Sequence, residues 1–395
     1  MTFNSMRLAL IKSEESLFPL DAVLRHSKVS FSNQFYTFTM QLIPYSYVYY
    51  YKMKILALVF LLVSSASFAQ LPKYLVLEGG GIRGIAHSGA LEVLDSLHQL
   101  DSIKNIAGTS SGAMNGLLYA IGYNPVEIQT LIGNTAFEKF NQVGFPFIGG
   151  VRRMKHNYGY YSTKRIEQTF ENLLTQKGLD PNLTFADLHE LKLANSRYKD
   201  LYITGTSLNS QKTIVFSHQT YPEMRIVDAM RVSLTVPFYF EAIFVNKDGS
   251  LTDSKNCTNC EIMVDGGVLA NYPFYVFDQE CMDSNGMICY KANPLTLGLK
   301  LERPDQLSTD IVEIAPYDIA GYKSFMASFY TLTSETINRE KLTEAHFEQT
   351  ILISNLDMSP KVRKLSEEEK NALIESGKKG VRKYYNLESE VQAQN

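Results

Sequence analysis

Two stretches decide how this chain folds. Lys73-Tyr-Leu-Val-Leu-Glu78 runs straight into Gly79-Gly80-Gly81-Ile82-Arg83-Gly84, and Ile103 to Ala107 runs into Gly108-Thr109-Ser110-Ser111-Gly112. Each pairs a short apolar run with a glycine turn, and each is followed by a helical stripe: Ala90, Val93, Leu94 and Leu97 after the first, Met114, Leu117, Leu118 and Ile121 after the second. Spacings of i, i+3, i+4 and i+7 put such residues on one helix face. Strand, glycine turn and helix, twice over, mean parallel strands joined by crossover helices. The core is therefore expected to be one α/β domain with a mainly parallel central sheet.

Downstream, Ser162 is expected to cap a helix carrying Ile166, Phe170, Leu173 and Leu174, and Thr184 with Asp187 to open another. Leu201 to Thr206 and Thr213 to Phe216 read as a hairpin turning through Asn209-Ser210. Leu295, Leu297, Leu299 and Leu301 alternate, so a later strand has one apolar face. Ser366 with Glu369 opens a last helix. Between Asn124 and Tyr161 the pattern weakens, and Gly149-Gly150 with Arg152, Arg153, Lys155 and His156 suggests an exposed loop. No long amphipathic helix stands out.

The chain has 395 residues, 45% hydrophobic and 20% charged, with a formal net charge of −3. That usage is globular and offers no basic field to a nucleic-acid backbone. Residues 53–69 read as a secretory signal: Lys54, the apolar run Ile55 to Val63, then Ser67 and Ala69 before a cut. The run is half of what a membrane-spanning helix needs. Met53 is then the expected start, residues 1–52 a non-native upstream extension, and 70–395 the exported protein. The first 69 residues hold six of the 38 Lys/Arg and three of the 41 Asp/Glu, which leaves the rest at −6. Cys257, Cys260, Cys281 and Cys289 fall within one stretch, 246–293, read as a Cys-bearing insert. Export favours disulfides there; a four-thiolate zinc site and free thiols stay open.

Gly108 to Gly112 fits G-x-S-x-G with Ser110 central, between a strand and a helix, where a strained turn lifts a serine hydroxyl above a sheet. The helix that follows points its positive end toward developing negative charge. Gly79 to Gly84 resembles a dinucleotide loop, but Asp101 precedes the second strand instead of ending it, and export gives poor access to a nicotinamide cofactor. An oxyanion hole is the better reading. Among histidines, His346 alone follows in the order serine, acid, histidine, and no glycine loop presents it. Ile262-Met-Val-Asp265-Gly266-Gly267 instead ends an apolar strand in a carboxylate.

GGGIRG, GTSSG and DGG, in that order after an apolar strand, resemble the patatin-like phospholipases. Gly159-Tyr-Tyr-Ser-Thr-Lys-Arg165, Ile203-Thr-Gly-Thr-Ser-Leu208 and the block Asp228 to Phe240 fit that family too. The resemblance covers about residues 73–300 and the last helix loosely. It implies a three-layer α/β/α fold and a Ser–Asp dyad, with Ser110 as nucleophile and Asp265 as base. It places Gly79, Gly80, Gly81, Arg83 and Gly84 in the oxyanion loop, with Gly108, Gly112, Gly266 and Gly267 in support. The implied substrates are lipid acyl esters at a membrane or micelle surface, with no metal or cofactor. A Ser-His-Asp esterase and a non-catalytic lipid-binding protein on the same fold are the alternatives.

Overall fold

A computed structural model describes residues 71–135, 140, 146–254, 256–282, 286–308 and 313–387. The upstream extension and secretory signal read from the sequence lie outside the described residues. The first half of the described chain alternates strands and helices. It runs through β1 (Tyr74–Leu77), α1 (Ile85–Ser96), β2 (Asn105–Gly108), α2 (Ser111–Ala120), α3 (Pro125–Asn134), α4 (Pro146–Asn157), β3 (Gly159–Tyr161), α5 (Lys164–Gln176) and α6 (Phe185–Ala194). Strands then dominate: β4 (Asp200–Ser207), β5 (Lys212–Phe216), α7 (Ile226–Ser233), β6 (Phe238–Phe240), β7 (Ile243–Val245), β8 (Leu251–Thr252), β9 (Glu261–Asp265), β10 (Gln279–Met282), β11 (Ile288–Lys291) and β12 (Thr296–Glu302). The end is α8 (Tyr322–Arg339), α9 (Glu344–Glu348), β13 (Thr350–Ser354) and α10 (Glu367–Tyr384).

The main sheet has the order β13-β12-β1-β2-β4-β9-β7-β8, with β5 also on β4. From β13 to β4 every pairing is parallel, as the crossover pattern requires. Beyond β4 the sheet turns antiparallel: short turns join β4 to β5 and β7 to β8, and β9 pairs antiparallel with both β4 and β7. Strand order reverses at β1, whose neighbours are β12 and β2. In open α/β sheets that switch point leaves a crevice at the carboxyl ends of the strands, and both glycine turns open there.

One face of the sheet packs Leu75, Leu77, Ile106, Leu201, Ile203, Leu297, Leu299 and Ile351 against the helices. On that side α10 lies against α1 so closely that a Cβ on Gly377 would stand 1.9 Å from the Ala86 carbonyl oxygen. The other face is covered by Tyr272, Phe274 and Phe277, which follow β9 and pack on Val76, Ala107 and Tyr202. The alternating leucines of β12 do face the first core, yet the strand is buried on both sides, and its second face carries Lys300 and Glu302.

Local expectations hold where the signal is a cap. Thr184–Asp187 and Ser366–Glu369 form reciprocal capping boxes, and β4–β5 is the expected hairpin. At the next helix the N-cap is Thr163, one residue on, because the Ser162 hydroxyl donates to Glu241 instead. The expected loop between Asn124 and Tyr161 contains α3 and α4; the glycine pair sits inside α4 rather than breaking it.

The stretch 246–293 contributes to two sheets. β8 and β9 belong to the main sheet, and only β10–β11 stands apart as a two-stranded hairpin. Its cysteines form two disulfides, Cys257–Cys260 in the turn before β9 and Cys281–Cys289 across β10–β11, rather than a thiolate metal site.

Candidate active site

Ser110 stands between β2 and α2 with φ 52° and ψ −121°. A serine in that backbone region stores strain, on the order of 1–3 kcal/mol, and persists because its surroundings hold it. The Ser110 amide donates to the Ser233 hydroxyl at 2.8 Å, fixing the turn from α7. Thr109 donates its hydroxyl proton to the Ala270 carbonyl at 2.7 Å, so the 2.6 Å contact with Thr204 is a bond that Thr204 donates. Those bonds staple the serine turn to β4 and to the chain that follows Asp265.

Asp265 ends β9, opposite Gly205 of β4 in the antiparallel register, while Gly108 of β2 lies opposite Ile203 in the parallel one. Ser110 and Asp265 therefore flank β4 at one level of the sheet. Both are buried, and the Ser110 side chain is close enough to be among the groups that pull the Asp265 carboxyl toward its ionised form. The Asp265 amide donates to the Thr235 carbonyl at 2.7 Å, and the carboxylate accepts from the Gly267 amide at 2.7 Å. Burial pushes its pKa up to about 7, against the lowering pull of Gly267 and Ser110.

The glycine loop stands beside this pair and is tightly engaged. Gly79 donates its amide to the Asn271 carbonyl at 2.9 Å, and Gly80 to the Ser111 hydroxyl at 2.8 Å. Gly81 opens a single 3-10 turn, Gly81–Gly84, so its amide has no partner within that turn. Its φ is +57°, and a Cβ there would stand 2.2 Å from the Pro360 carbonyl oxygen, so no other residue fits without displacement. Arg83 folds back, its Nε donating to the Gly80 carbonyl at 3.1 Å, which makes it a brace of the loop. Asn115 of α2 donates to the Gly84 carbonyl at 3.0 Å. Gly112 starts α2 with its amide on the Thr109 carbonyl, and Gly266 packs against Thr204.

Several supporting groups escaped the sequence reading. Asn271 donates its side chain to the Gly79 carbonyl at 3.0 Å and its amide to Asn338, while Asn338 also reaches the Gly267 carbonyl at 3.5 Å. Under the loop, Lys300 meets Glu302 at 2.7 Å, Glu78 at 3.2 Å and Glu335 at 3.6 Å, and Arg339 pairs with Glu302 and Glu335. Burial raises the Glu78 carboxyl despite Lys300. Burial alone would lower the Lys300 ammonium, but the carboxylates around it outweigh that and hold it above its ordinary value. Nothing local in the sequence marks these residues. Ser233 is different: it lies in the serine- and proline-bearing block Asp228 to Phe240.

The histidine of a triad is elsewhere. His346 is buried, with Nδ1 accepting from the Thr343 amide at 2.9 Å and Nε2 on Asp278 at 3.0 Å. Among the described residues no histidine hydrogen-bonds Ser110 or Asp265. One described cluster has metal-ligand chemistry: His189, Asp200 and His218 at the start of β4. Its imidazoles stack at 4.1 Å with 7° between planes, so their in-plane lone pairs do not converge on one point, and Lys192 already pairs with Asp200. A cleft lined by Leu352, Leu356, Ser376 and Tyr384 contains neither Ser110 nor Asp265.

Residues 75–278 match the family model of the patatin-like phospholipases. An uncharacterised protein of Acanthamoeba polyphaga mimivirus is 26% identical over 322 residues, covering 78% of this chain and 92% of its own length. A probable lipid hydrolase of Invertebrate iridescent virus 6 is 27% identical over 212 residues, 52% of this chain; the chain spans 64% of that relative. Among solved structures, VipD from Legionella pneumophila aligns with a TM-score of 0.49 and 16% identity, over 80% of this chain and 67% of VipD. The matched segment runs from β1 past Asp265 and holds both glycine turns, the dyad candidates and the strands that bring them together: this chain belongs to the patatin-like phospholipase family.

Proposed function

We propose that the protein hydrolyses lipid acyl esters through a Ser110–Asp265 dyad. The family and the likeness to a probable lipid hydrolase support the class of reaction. One observation carries the dyad: a buried carboxylate at the tip of β9 faces a serine held at positive φ between a strand and a helix.

Asp265 takes the Ser110 proton as Oγ attacks the ester carbonyl carbon, and the carbonyl electron pair moves onto oxygen. The alkoxide is met by two backbone amides, Gly81 at the head of the glycine turn and Ser111 at the start of α2. Gly79, Gly80, Arg83 and Gly84 hold that loop in shape. Collapse expels the alcohol, which receives the proton from Asp265, and leaves Ser110 acylated. Water then attacks the acyl carbon as Asp265 takes its proton; collapse breaks the bond from the acyl carbon to Oγ, frees the acid, and returns the proton from Asp265 to Ser110. A carboxylate in water is a weak base near 3.9; burial raises this one to about 7, which makes it a stronger proton acceptor.

Turnover of a short-chain nitrophenyl ester tests the dyad. Ser110→Ala abolishes it, Asp265→Asn lowers it on the order of 10²–10⁴-fold, and His346→Ala leaves it nearly intact. Equal damage from His346→Ala and Ser110→Ala would replace the dyad with a triad.

A further inference from the structure

Helix α8 is amphipathic the wrong way round for a water-soluble surface. Tyr322, Phe325, Met326, Phe329, Leu332 and Ile337 share one face at helical spacing, and all are exposed, Tyr322 at 79% and Phe329 at 61%. Asn338 and Arg339, by contrast, turn inward and are buried. The inward contacts are polar: Asn338 with the Asn271 amide and the Gly267 carbonyl, Glu335 with Lys300, Arg339 with Glu302. The helix is thus tied to the Asp265 turn by hydrogen bonds and presents its apolar side to the solvent. Single exposed apolar side chains need no explanation; a contiguous row of them does.

A second exposed apolar element is tied to the same turn. Thr235 accepts from the Asp265 amide, and Val236 and Phe238 follow it outward. Phe238 is 75% exposed at φ +66°, an unfavourable conformation for a bulky residue that water gives no reason to keep.

We infer that α8, with Val236 and Phe238, is the surface by which the protein docks on an uncharged or zwitterionic lipid bilayer; the inference rests on the acyl-hydrolase reading. The stripe is about 24 Å long and 10 Å wide, so it offers about 240 Å², far below the ~800 Å² per partner of a stable protein interface. It suits an interfacial helix, whose apolar face enters the headgroup boundary. Between Tyr322 and Ser334 the sequence has one charged residue, Lys323, so anionic headgroups gain little from it. Sequence alone does not single this helix out, because Ser324, Ala327, Ser328 and Thr331 make the opposite face look undistinguished. Only the burial of Asn338 and Arg339 tells which side faces in.

Sedimentation with phosphatidylcholine vesicles tests this. The full chain and Ser110→Ala should bind alike, at low and high salt, and Phe325→Ser/Phe329→Ser should bind at least tenfold more weakly while turning over a soluble ester within about twofold of the parent. The chain contains no tryptophan, so Phe329→Trp adds a lone fluorophore whose emission should shift to the blue on adding vesicles. Unshifted emission, equal vesicle binding by the double variant, or a dimer that only the double variant loses would each overturn the inference. Vesicle binding without turnover of any ester would leave the docking surface standing and remove the hydrolase; soluble-ester turnover without vesicle binding would do the reverse.

Discussion

At the scale of single residues the proposed dyad depends on a carboxylate kept out of water. With Asp265 at about 7, only its ionised form can take the Ser110 proton. Turnover of a soluble ester should climb about tenfold per pH unit below 7 and level off above it, as a pH–rate profile would show. The same shift affects stability with the opposite sense. The folded state binds a proton that the unfolded chain has already lost between roughly pH 4 and 7, so ionising Asp265 destabilises the fold as pH rises through that window. Asp265→Asn should therefore unfold at a higher temperature than the parent at pH 8, and at a similar one at pH 4. Ser110 was legible in the sequence because a glycine on either side is a local signature. Asp265, the base proposed for it, was legible only as an Asp-Gly-Gly turn, one of many such turns in proteins.

Elements separate what serves the site from what merely decorates the fold. The β10–β11 hairpin leads into β12 at the amino-terminal end of the parallel strands, and Ser110 lies at the carboxyl end. Reducing Cys281–Cys289, or replacing both with serine, should cost about 2.5 kcal/mol by loop-closure entropy and leave soluble-ester turnover unchanged. A denaturation midpoint with and without reductant, beside an ester assay, checks both halves. Helix α8 is the contrary case: it contributes little apolar burial, and Asn338 in its last turn bonds the chain just past Asp265, at Gly267 and Asn271.

Across the whole molecule, the two faces of the parallel sheet are unlike. One is an ordinary apolar core under helices; the other grades from aromatic rings at the amino-terminal end to a buried ion network beneath the glycine loop. Lys300 is central there, fully buried among Glu78, Glu302 and Glu335. Lys300→Met should destabilise the protein by about 3–5 kcal/mol, since it leaves buried carboxylates short of a cation. The loss should be smaller at pH 5 than at pH 8, because protonation neutralises the orphaned groups; urea denaturation at the two pH values measures it.

What this sequence settled unaided was local: two strand–turn–helix units, their parallel pairing, the capping boxes, the β4–β5 hairpin and the serine turn, each written in neighbouring residues by periodicity or turn chemistry. Tertiary structure alone decided the rest. It made β7, β8 and β9 antiparallel, set Asp265 across β4 from Ser110, occupied the Gly79 and Gly80 amides, buried Lys300, and turned the apolar side of α8 outward. The reason is physical: whether a polar group is paired, or an apolar one covered, depends on side chains brought close from distant parts of the chain, and neither its own identity nor its neighbours in sequence record that.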